Sequence, residues 1–309
     1  MIYIYINMSK SIIREYLKDK SEEIQYLDLI KEILSNGTTE VGRNGTTKVI
    51  IGNTMYFSLE NNKLPLLTTK KVAWKTCLKE LLWFINGKTS NTLLQEQNVK
   101  IWNDNASREF LDSRGLYDNK EGDLGPIYGF QWRHFNAKYG TCDDDYTGKG
   151  TDQLQWIIEQ LKDPDTRNSR RLIMTAWNPA FLNEMALPPC HILSQFCVTE
   201  GNKLSCILYQ RSGDTGLGVP FNIASYSFLT HLIAKHTGLI AHEFVYNLGN
   251  AHIYDDHYEI LAEQVKREPR EFPTVSIDSI KENINDYNVD DFKIENYDFH
   301  PPIKMEMRK

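Results

Sequence analysis

Residues 209–222, YQRSGDTGLGVPFN, join two regular elements through a polar turn that carries three glycines. The run before this turn, 203–211, predicts a strand, and the apolar run 221–237 predicts a helix. Arg211 and Ser212 have the chemistry to bind a phosphate, and glycines let backbone approach a ligand. A turn with a purely structural role would explain the same residues without a ligand. The stretch therefore indicates a strand–turn–helix unit and a candidate site.

Outward from this unit, strands and helices are interleaved without the regular repeat of a βαβ protein. The sequence Glu200-Gly201-Asn202 separates two β-like runs, 191–199 and 203–211, and predicts a hairpin. Residues 105–152 predict a long irregular segment, and the chain from 273 onward predicts short strands and loops. The pattern favours an α+β domain around one large sheet. Further strands are predicted at 47–59, 171–177 and 241–247, and helices at 22–35, 72–86, 153–162 and 253–267.

The composition is that of a globular protein and excludes several other classes. Hydrophobic residues make up 41% of the 309 residues and aromatic residues 11%, enough to form a sizeable core. Lys+Arg 35 against Asp+Glu 41 gives a net charge of −6, so general DNA binding is not expected. A local basic pocket for one phosphate remains compatible with that charge. No apolar run approaches the roughly 20 residues that span a bilayer, so no membrane partner is expected.

The cysteine pattern indicates a reducing compartment. The five cysteines form an odd set without a C-x-x-C pair, which argues against a disulfide framework and against a zinc site. The apolar residues 1–6 are too few for a signal-peptide core and lack a basic segment before them. We therefore expect a cytoplasmic protein without a bound metal.

Cys190 follows Pro188 and Pro189, which fix the chain where it enters a predicted strand. A buried and inert thiol is the commonest state of a cysteine. His191 is the neighbouring candidate base, but adjacent residues of a strand point to opposite faces, which disfavours a Cys–His pair. A nucleophilic Cys190 therefore needs a nearby cation to lower the pKa of its thiol. On these residues alone, a structural role is favoured.

Several other polar residues stand where either a functional or a structural role is plausible. Glu80 lies within an apolar run, where a carboxylate is costly unless it is paired or used. Asn222 can recognise the edge of a base through its carboxamide, or it can cap a helix. Two further pairs, Arg170-Arg171 and His252 with Tyr254, can bind a phosphate and a sugar or serve only the fold.

Seven motifs follow one another along the chain: LLTTK (66–70), ELLWF (80–84), KIW (100–102), GDLGPIYGFQWR (122–133), PPCH (188–191), YQRSGD (209–214) and PFNIASY (220–226). In this order they resemble the thymidylate synthase family in its eukaryotic form, over about residues 24–307. No one motif is decisive, but seven in order leave little room for coincidence. The insertion 107–121 is also similar to the eukaryotic type.

The resemblance implies an enzyme that methylates dUMP to dTMP, with 5,10-methylenetetrahydrofolate as co-substrate and dihydrofolate as product. The Cys190 thiolate would add to carbon 6 of the uracil, which overturns the structural interpretation of this cysteine. The resemblance also implies a homodimer that associates through a face of a large mixed sheet flanked by helices. Residues 22–309 would form the catalytic domain, and residues 1–21 an N-terminal extension too short for a fused reductase.

The resemblance assigns roles to individual residues. Arg170 and Arg171 would come from the partner subunit. The catalytic residues would be Cys190, Glu80, Tyr128, Arg211 and Asp214. The dUMP-binding residues would be Arg43, Arg170, Arg171, Gln210, Arg211, Ser212, Asp214, Asn222, His252 and Tyr254. The folate-binding residues would be Ile101, Trp102, Asn105, Asp214, Leu217, Gly218 and Phe221.

The chain departs from the family pattern at three places. The loop that holds Arg43 is one residue shorter, and Asn250 stands where an aspartate is usual. The family ends in small apolar residues that close over the site, whereas this chain ends in Arg308 and Lys309. These two cations are expected to attract the anionic glutamate tail of folate, which would partly replace apolar packing.

Two alternative functions remain open from the sequence. A pyrimidine-nucleotide hydroxymethylase would use the same thiolate chemistry but pass the methylene group to water. A catalytically silent paralogue would keep the fold to bind nucleotides or RNA, which the negative net charge disfavours.

Overall fold

A six-stranded mixed sheet forms the centre of the protein, with the strand order β1-β2-β6-β5-β4-β3. The computed structural model describes residues 15–18, 20–42 and 44–308. Most of the predicted N-terminal extension, Arg43 and Lys309 lie outside the described residues. The strands are β1 (Thr38–Gly42), β2 (Gly45–Ser58), β3 (Ile173–Thr175), β4 (His191–Thr199), β5 (Lys203–Asp214) and β6 (Ile240–Tyr254), with a separate pair of β7 (Thr274–Ile277) and β8 (Phe292–Glu295).

Helices pack against this sheet and against one another, which confirms the expected α+β class. They are α1 (Ile24–Asn36), α2 (Trp74–Ile85), α3 (Thr92–Gln95), α4 (Arg108–Ser113), α5 (Tyr128–His134), α6 (Gln153–Lys162), α7 (Gly218–Thr237) and α8 (Tyr258–Gln264). Helix α7 lies on β5 and β6, and α2 packs on both α7 and α5. Of the helices in the described ranges, none is long and apolar enough to cross a membrane.

The two faces of the sheet differ in burial. Successive side chains of a strand point to opposite faces. On the face toward the helices, side chains such as Phe196, Leu208 and Phe244 are fully buried and form part of the core. On the opposite face, Leu193 and Val245 stay partly accessible, and the Tyr209 side chain is 45% exposed. The described chain thus leaves a partly apolar sheet face in contact with solvent.

The predicted hairpin is present. Strands β4 and β5 pair antiparallel, and Glu200 and Gly201 of the turn both have positive φ, at 49° and 81°. Three residues separate Thr199 from its partner Lys203, and glycine adopts the positive φ of this turn without strain. Local turn chemistry therefore sets this pairing.

Strands β5 and β6 are longer than the sequence predicted, and the predicted helix at 253–267 is wrong at its start. β5 continues to Asp214 and β6 to Tyr254, because the two strands pair in parallel through Ser212↔Asn250 and Asp214↔His252. Helix α8 begins only at Tyr258, after the 3-10 turn Asp255–His257. Pairing with a distant strand here overrides the local polar pattern.

The segment 105–152 is less irregular than the sequence predicted, since it contains α4 and α5. The Ser107 hydroxyl caps α4 by accepting a hydrogen bond from the backbone N–H of Phe110 at 3.2 Å. Helix α5 lies so close to α2 that a Cβ on Gly129 would sit 2.6 Å from the carbonyl oxygen of Phe84. Both helices are short, so they add little periodicity to the sequence.

A buried carboxylate fixes the LLTTK segment before α2. Glu23 is 0% exposed and accepts four hydrogen bonds, from the backbone N–H and hydroxyl groups of Thr68 and Thr69, at 2.6–2.9 Å. Buried carboxylates are tolerated when they are satisfied in this way. The two threonines of the motif therefore donate hydrogen bonds to Glu23 and join α1 to the chain that enters α2.

Replacement of Glu23 by alanine is expected to lower the free energy of unfolding by about 3 kcal/mol or more, because four buried donors lose their acceptor. The matched control is Glu40→Ala on the exposed strand β1, which should change stability by less than about 0.5 kcal/mol. Urea unfolding of both variants measures the difference. Equal effects of the two substitutions would show that the Glu23 cluster does not stabilise the fold.

Candidate active site

Arg211 holds the segment that carries Cys190. Its backbone N–H donates to the carbonyl oxygen of Cys190 at 2.8 Å. Its guanidinium donates to the carbonyl oxygens of Pro189 and Pro188 at 2.8 and 3.0 Å, and Nη2 lies 3.8 Å from the Cys190 sulfur. The cation that a nucleophilic Cys190 requires is therefore present, on the neighbouring strand.

Two opposing effects set the pKa of the Cys190 thiol. Burial raises this pKa, whereas the Arg211 charge and a hydrogen bond from Tyr128 lower it without cancelling the effect of burial. His191 does not serve as a base for this thiol. Its Nδ1 is hydrogen-bonded to the Tyr226 hydroxyl at 2.9 Å, and burial lowers its pKa to about 3. The structure thus pairs the sulfur with a guanidinium rather than with an imidazole.

Helices α2 and α5 bring an acid and a phenol to the same place. The Tyr128 hydroxyl accepts a hydrogen bond from the backbone N–H of Cys190 at 2.7 Å, and its ring stacks on His191 with centroids 4.1 Å apart. The Glu80 carboxylate accepts a hydrogen bond from the Trp102 indole at 2.7 Å. A small part of Glu80 stays accessible, but protein surrounds its carboxyl group, and burial raises its pKa to about 7. Such a group can both accept and donate a proton near neutral pH.

The turn after β5 is held by several buried polar groups. Asp214 Oδ1 accepts hydrogen bonds from the backbone N–H groups of Gly216 and Leu217 at 2.8 and 3.3 Å. The Lys70 ammonium donates to the carbonyl oxygen of Gly216, and burial lowers the pKa of Lys70 to about 8. Sequence reasoning did not include Lys70 among the site residues. Its place in the TTK motif, as a cation in an otherwise buried segment, was the available signal.

Strand β6 brings His252 and Tyr254 beside this turn. His252 is paired with Asp214 across the parallel ladder, and its Nδ1 donates to the Asn250 side-chain oxygen at 3.0 Å. Burial lowers the pKa of His252, although the Asp214 charge opposes that shift. The Tyr254 ring meets His252 edge-on, with centroids 5.3 Å apart. The Asn250 side chain therefore orients a neutral histidine.

The remaining predicted ligands of the nucleotide differ in accessibility. The Gln210 side chain is buried, accepting from the Tyr246 hydroxyl at 2.8 Å and donating to the Ser212 carbonyl oxygen at 2.9 Å. Asn222 lies on α7, one turn into the helix, and is only partly buried. Asn222 therefore stays partly accessible, whereas Gln210 is already bound within the protein.

Arg170 and Arg171 lie away from Cys190 of the same chain. The Arg170 carbonyl oxygen accepts a hydrogen bond from the Gln195 side chain at 3.1 Å. Gln195 is on β4, five residues beyond Cys190, which is roughly 16 Å along an extended strand. Both arginines are exposed. The structure does not bring this predicted pair together with the thiol of its own chain.

The apolar residues predicted to bind folate stay partly accessible, and Leu217 lies directly beside Asp214. Ile101 and Phe221 pack against the core but stay partly accessible, as does Leu217 at the start of α7. Apolar side chains beside a carboxylate suit an aromatic ring that carries N–H donors. Trp102 is instead buried and bound to Glu80. Within the described ranges, no cluster of His, Cys, Asp and Glu has the arrangement of a metal site.

A thiol held beside a guanidinium at the edge of a mixed sheet, with a buried acid nearby, is typical of an enzyme that attacks its substrate with a cysteine. The family model described as Thymidylate synthase matches residues 24–309. Thymidylate synthase of Saccharomyces cerevisiae is 53% identical over 300 residues, which cover 94% of this chain and 98% of that protein. The chain belongs to the thymidylate synthase family.

Two other relatives are longer than this chain. A probable thymidylate synthase of Schizosaccharomyces pombe is 54% identical over 93% of this chain and 47% of that protein. A bifunctional dihydrofolate reductase-thymidylate synthase of Leishmania amazonensis is 52% identical over 95% of this chain and 56% of its own length. These similarities confirm the predicted thymidylate synthase activity, a methyl transfer to dUMP, with methylenetetrahydrofolate as co-substrate.

The raised pKa of Glu80 predicts a specific pH dependence of stability. The folded protein keeps a proton on Glu80 up to about pH 7, whereas the unfolded chain loses it near 4.5. Since the folded state binds more protons in this window, stability falls as pH rises through it, and the contribution of Glu80 is completely lost above pH 7. Glu80→Gln removes this loss. Between pH 5 and pH 8, its free energy of unfolding should therefore rise by about 1–3 kcal/mol relative to that of the wild type.

Urea unfolding of both proteins at pH 5 and pH 8 measures this gain, because the other ionisations cancel in the difference. The control is Glu109→Gln on the surface of α4, whose difference from wild type should not change with pH. A Glu80→Gln difference that is equally independent of pH would contradict the raised pKa.

Proposed function

We propose that Cys190 is the nucleophile of the methyl transfer and that its thiolate adds to carbon 6 of the uracil of dUMP. The observation that carries this assignment is the 3.8 Å contact between the sulfur and Arg211 Nη2, because a guanidinium favours the thiolate over the thiol. Burial alone disfavours the thiolate. Exclusion of water from the sulfur strengthens the attraction to Arg211.

The edge where β5 and β6 end offers a distinct group to each part of dUMP. Arg211 and Ser212 would bind the phosphate, together with Arg43. His252 and Tyr254 would bind the sugar hydroxyl. Asn222 would read the base, because one orientation of its carboxamide donates to the carbonyl at position 4 and accepts from the N–H at position 3. We assign Gln210 to the support of the Ser212 backbone, on the basis of its 2.9 Å hydrogen bond.

Glu80 and Tyr128 would manage the protons of the reaction. A carboxyl group with a pKa of about 7 is suited to general acid and base catalysis at neutral pH. The Trp102 indole orients that carboxylate through its 2.7 Å hydrogen bond. Tyr128 stands between this acid and Cys190, since its ring packs edge-on against Trp102 and its hydroxyl binds the Cys190 N–H. It would take part in removing the proton from carbon 5.

Asp214 and Gly218 would hold the folate, together with the partly accessible residues Ile101, Asn105, Leu217 and Phe221. When bound, the folate supplies the one-carbon group and the hydride of the reaction. The chain's own contribution is orientation, because the turn hydrogen bonds and Lys70 fix Asp214 before any ligand arrives. Since all five cysteines are free thiols, we also infer that the enzyme works in the cytoplasm.

Replacement of Cys190 by alanine should reduce turnover at least about a thousandfold, because no other group can form the bond to carbon 6. Binding of dUMP should survive, since the phosphate, sugar and base contacts remain. The assay follows dTMP and dihydrofolate, which wild type should form in equal amounts, and calorimetry follows dUMP. The control is Cys142→Ala, which should keep wild-type turnover. Burial raises the pKa of the Cys142 thiol to about 11, so this cysteine is not a thiolate at neutral pH. Full turnover by the Cys190→Ala enzyme would disprove the mechanism.

We further propose a homodimer in which each site takes Arg170 and Arg171 from the partner subunit. The uncovered sheet face is partly apolar and supplies a surface for a second copy. The two arginines are exposed, and the Arg170 backbone contacts Gln195, five residues along β4 from Cys190, so both lie away from the thiol of their own chain. The phosphate of dUMP carries close to two negative charges, so additional guanidinium groups would help Arg211 to neutralise it.

Mixed dimers test this shared site. Homodimers of Cys190→Ala and of Arg171→Ala should each be severely impaired. Dimers with one chain of each kind contain one intact site, in which Cys190 and Arg171 come from different chains. Random pairing should therefore restore up to roughly one quarter of wild-type activity, since half of the dimers are mixed. Differently tagged chains allow the mixed dimer to be isolated and assayed.

The matched control pairs Cys190→Ala with Glu80→Gln, two residues that we place in one chain's site. Mixed dimers of these variants should gain nothing, because each site keeps one defect. If verified mixed dimers of the Cys190 and Arg171 variants are as inactive as their parents, the shared-site assignment is wrong.

A further inference from the structure

The C-terminal tail folds back onto the 3-10 turn Asp255–His257. His257 Nε2 donates a hydrogen bond to the carbonyl oxygen of Glu306 at 2.9 Å. Arg308 Nη2 lies 2.8 Å from Asp256 Oδ2 and 3.7 Å from Asp255 Oδ1. Residues 301–308 form no helix or strand. Side-chain contacts therefore position the end of the chain.

The same tail reaches the turn that follows Asp214. A Cβ on Gly216 would lie 3.1 Å from the Met305 sulfur, 3.3 Å from Asp214 Oδ1 and 3.3 Å from His257 Nδ1. Three segments thus meet at this glycine: the tail, the turn after β5 and the 3-10 turn after β6. The first turn carries the proposed folate ligand Asp214, and the second follows Tyr254.

We propose that Arg308 is a positioning residue, whose pairing with Asp256 and Asp255 holds the tail over the Asp214 turn and so shapes the folate site. This inference rests on the assignment of Asp214 to folate. The contacts of Met305 with Gly216 and of Glu306 with His257 lie before Arg308 and do not hold Arg308 itself. The ion pair closes the end of the chain onto the same 3-10 turn.

This arrangement differs from the expectation that Arg308 attracts the glutamate tail of folate directly. In the structure, Arg308 is paired with the protein's own carboxylates. The two explanations predict opposite effects of Asp256→Asn. If Arg308 attracts folate directly, removal of this negative charge would free Arg308 and strengthen folate binding. If the ion pair holds the tail, the same substitution would release the tail and weaken folate binding. The sign of the change therefore decides between them.

The experiment measures the KM for methylenetetrahydrofolate at saturating dUMP, in the full-length enzyme. Arg308→Ala and Asp256→Asn should each raise this KM about two- to fivefold, as expected for a partly exposed ion pair, with kcat and dUMP affinity nearly unchanged. The increase should fade at high salt, because salt screens the pair in the wild type. The charge-swapped double variant, Arg308→Asp with Asp256→Arg, should restore most of the wild-type KM.

The matched control is Lys304→Ala, which removes the same charge from an exposed position of the same tail and should leave the KM unchanged. The rate of tryptic cleavage after Lys304 provides a readout that does not depend on folate, and it should be faster in Arg308→Ala and in Asp256→Asn. An unchanged KM, an Asp256→Asn enzyme with a lower KM, or an unchanged rate of tryptic cleavage would each overturn the proposal.

Failure of the site assignment itself would have a different signature. Asp214→Ala should raise the KM for methylenetetrahydrofolate if Asp214 binds folate. If that variant keeps the wild-type KM while the tail of Arg308→Ala is cleaved faster, the ion pair holds the tail but the folate site lies elsewhere. The proposal that Arg308 shapes that site is then overturned.

Discussion

The parallel pairing of β5 with β6 is the constraint on which the site depends. Helix α7 connects the two strands, so both run in one direction and end at the same edge of the sheet. β4 is antiparallel to β5 and therefore begins at that edge. Three stretches far apart in sequence, around Cys190, Asp214 and His252, meet there because of strand direction alone. Ligand sites commonly form where the carboxyl ends of strands meet in this way.

Burial gives the groups at this edge their chemistry. Desolvation moves the pKa of Glu80 to about 7, keeps His191 and His252 neutral, and raises the pKa of the Cys190 thiol, which Arg211 partly offsets. The helix layer provides this environment because α5 approaches α2 closely at Gly129. Packing and reactivity therefore have the same origin, and a change in the α2–α5 contact alters both.

The sequence predicted those features that depend on neighbours in the chain. The helix at 153–162 was predicted with its observed bounds, since Asp152 caps it locally through Gln155. The ends of β5 and β6 were wrong, because pairing between distant strands extends them through polar residues. The role of Cys190 needed the resemblance, because Arg211 is 21 residues away and reaches the sulfur only through the sheet. The ion pair between Arg308 and Asp256 joins two irregular segments, for which periodicity carries no information.

The double engagement of Arg211 has a consequence for how this site can evolve. One guanidinium both faces the Cys190 sulfur and donates hydrogen bonds to the carbonyl oxygens of Pro188 and Pro189. A lysine keeps the charge but lacks the planar fork that serves several acceptors at once. Selection for charge and selection for loop geometry thus act on one codon. Substitution at position 211 is therefore constrained twice. Loss of Arg211 would have to be compensated both by another cation beside the sulfur and by another donor to the loop carbonyl oxygens.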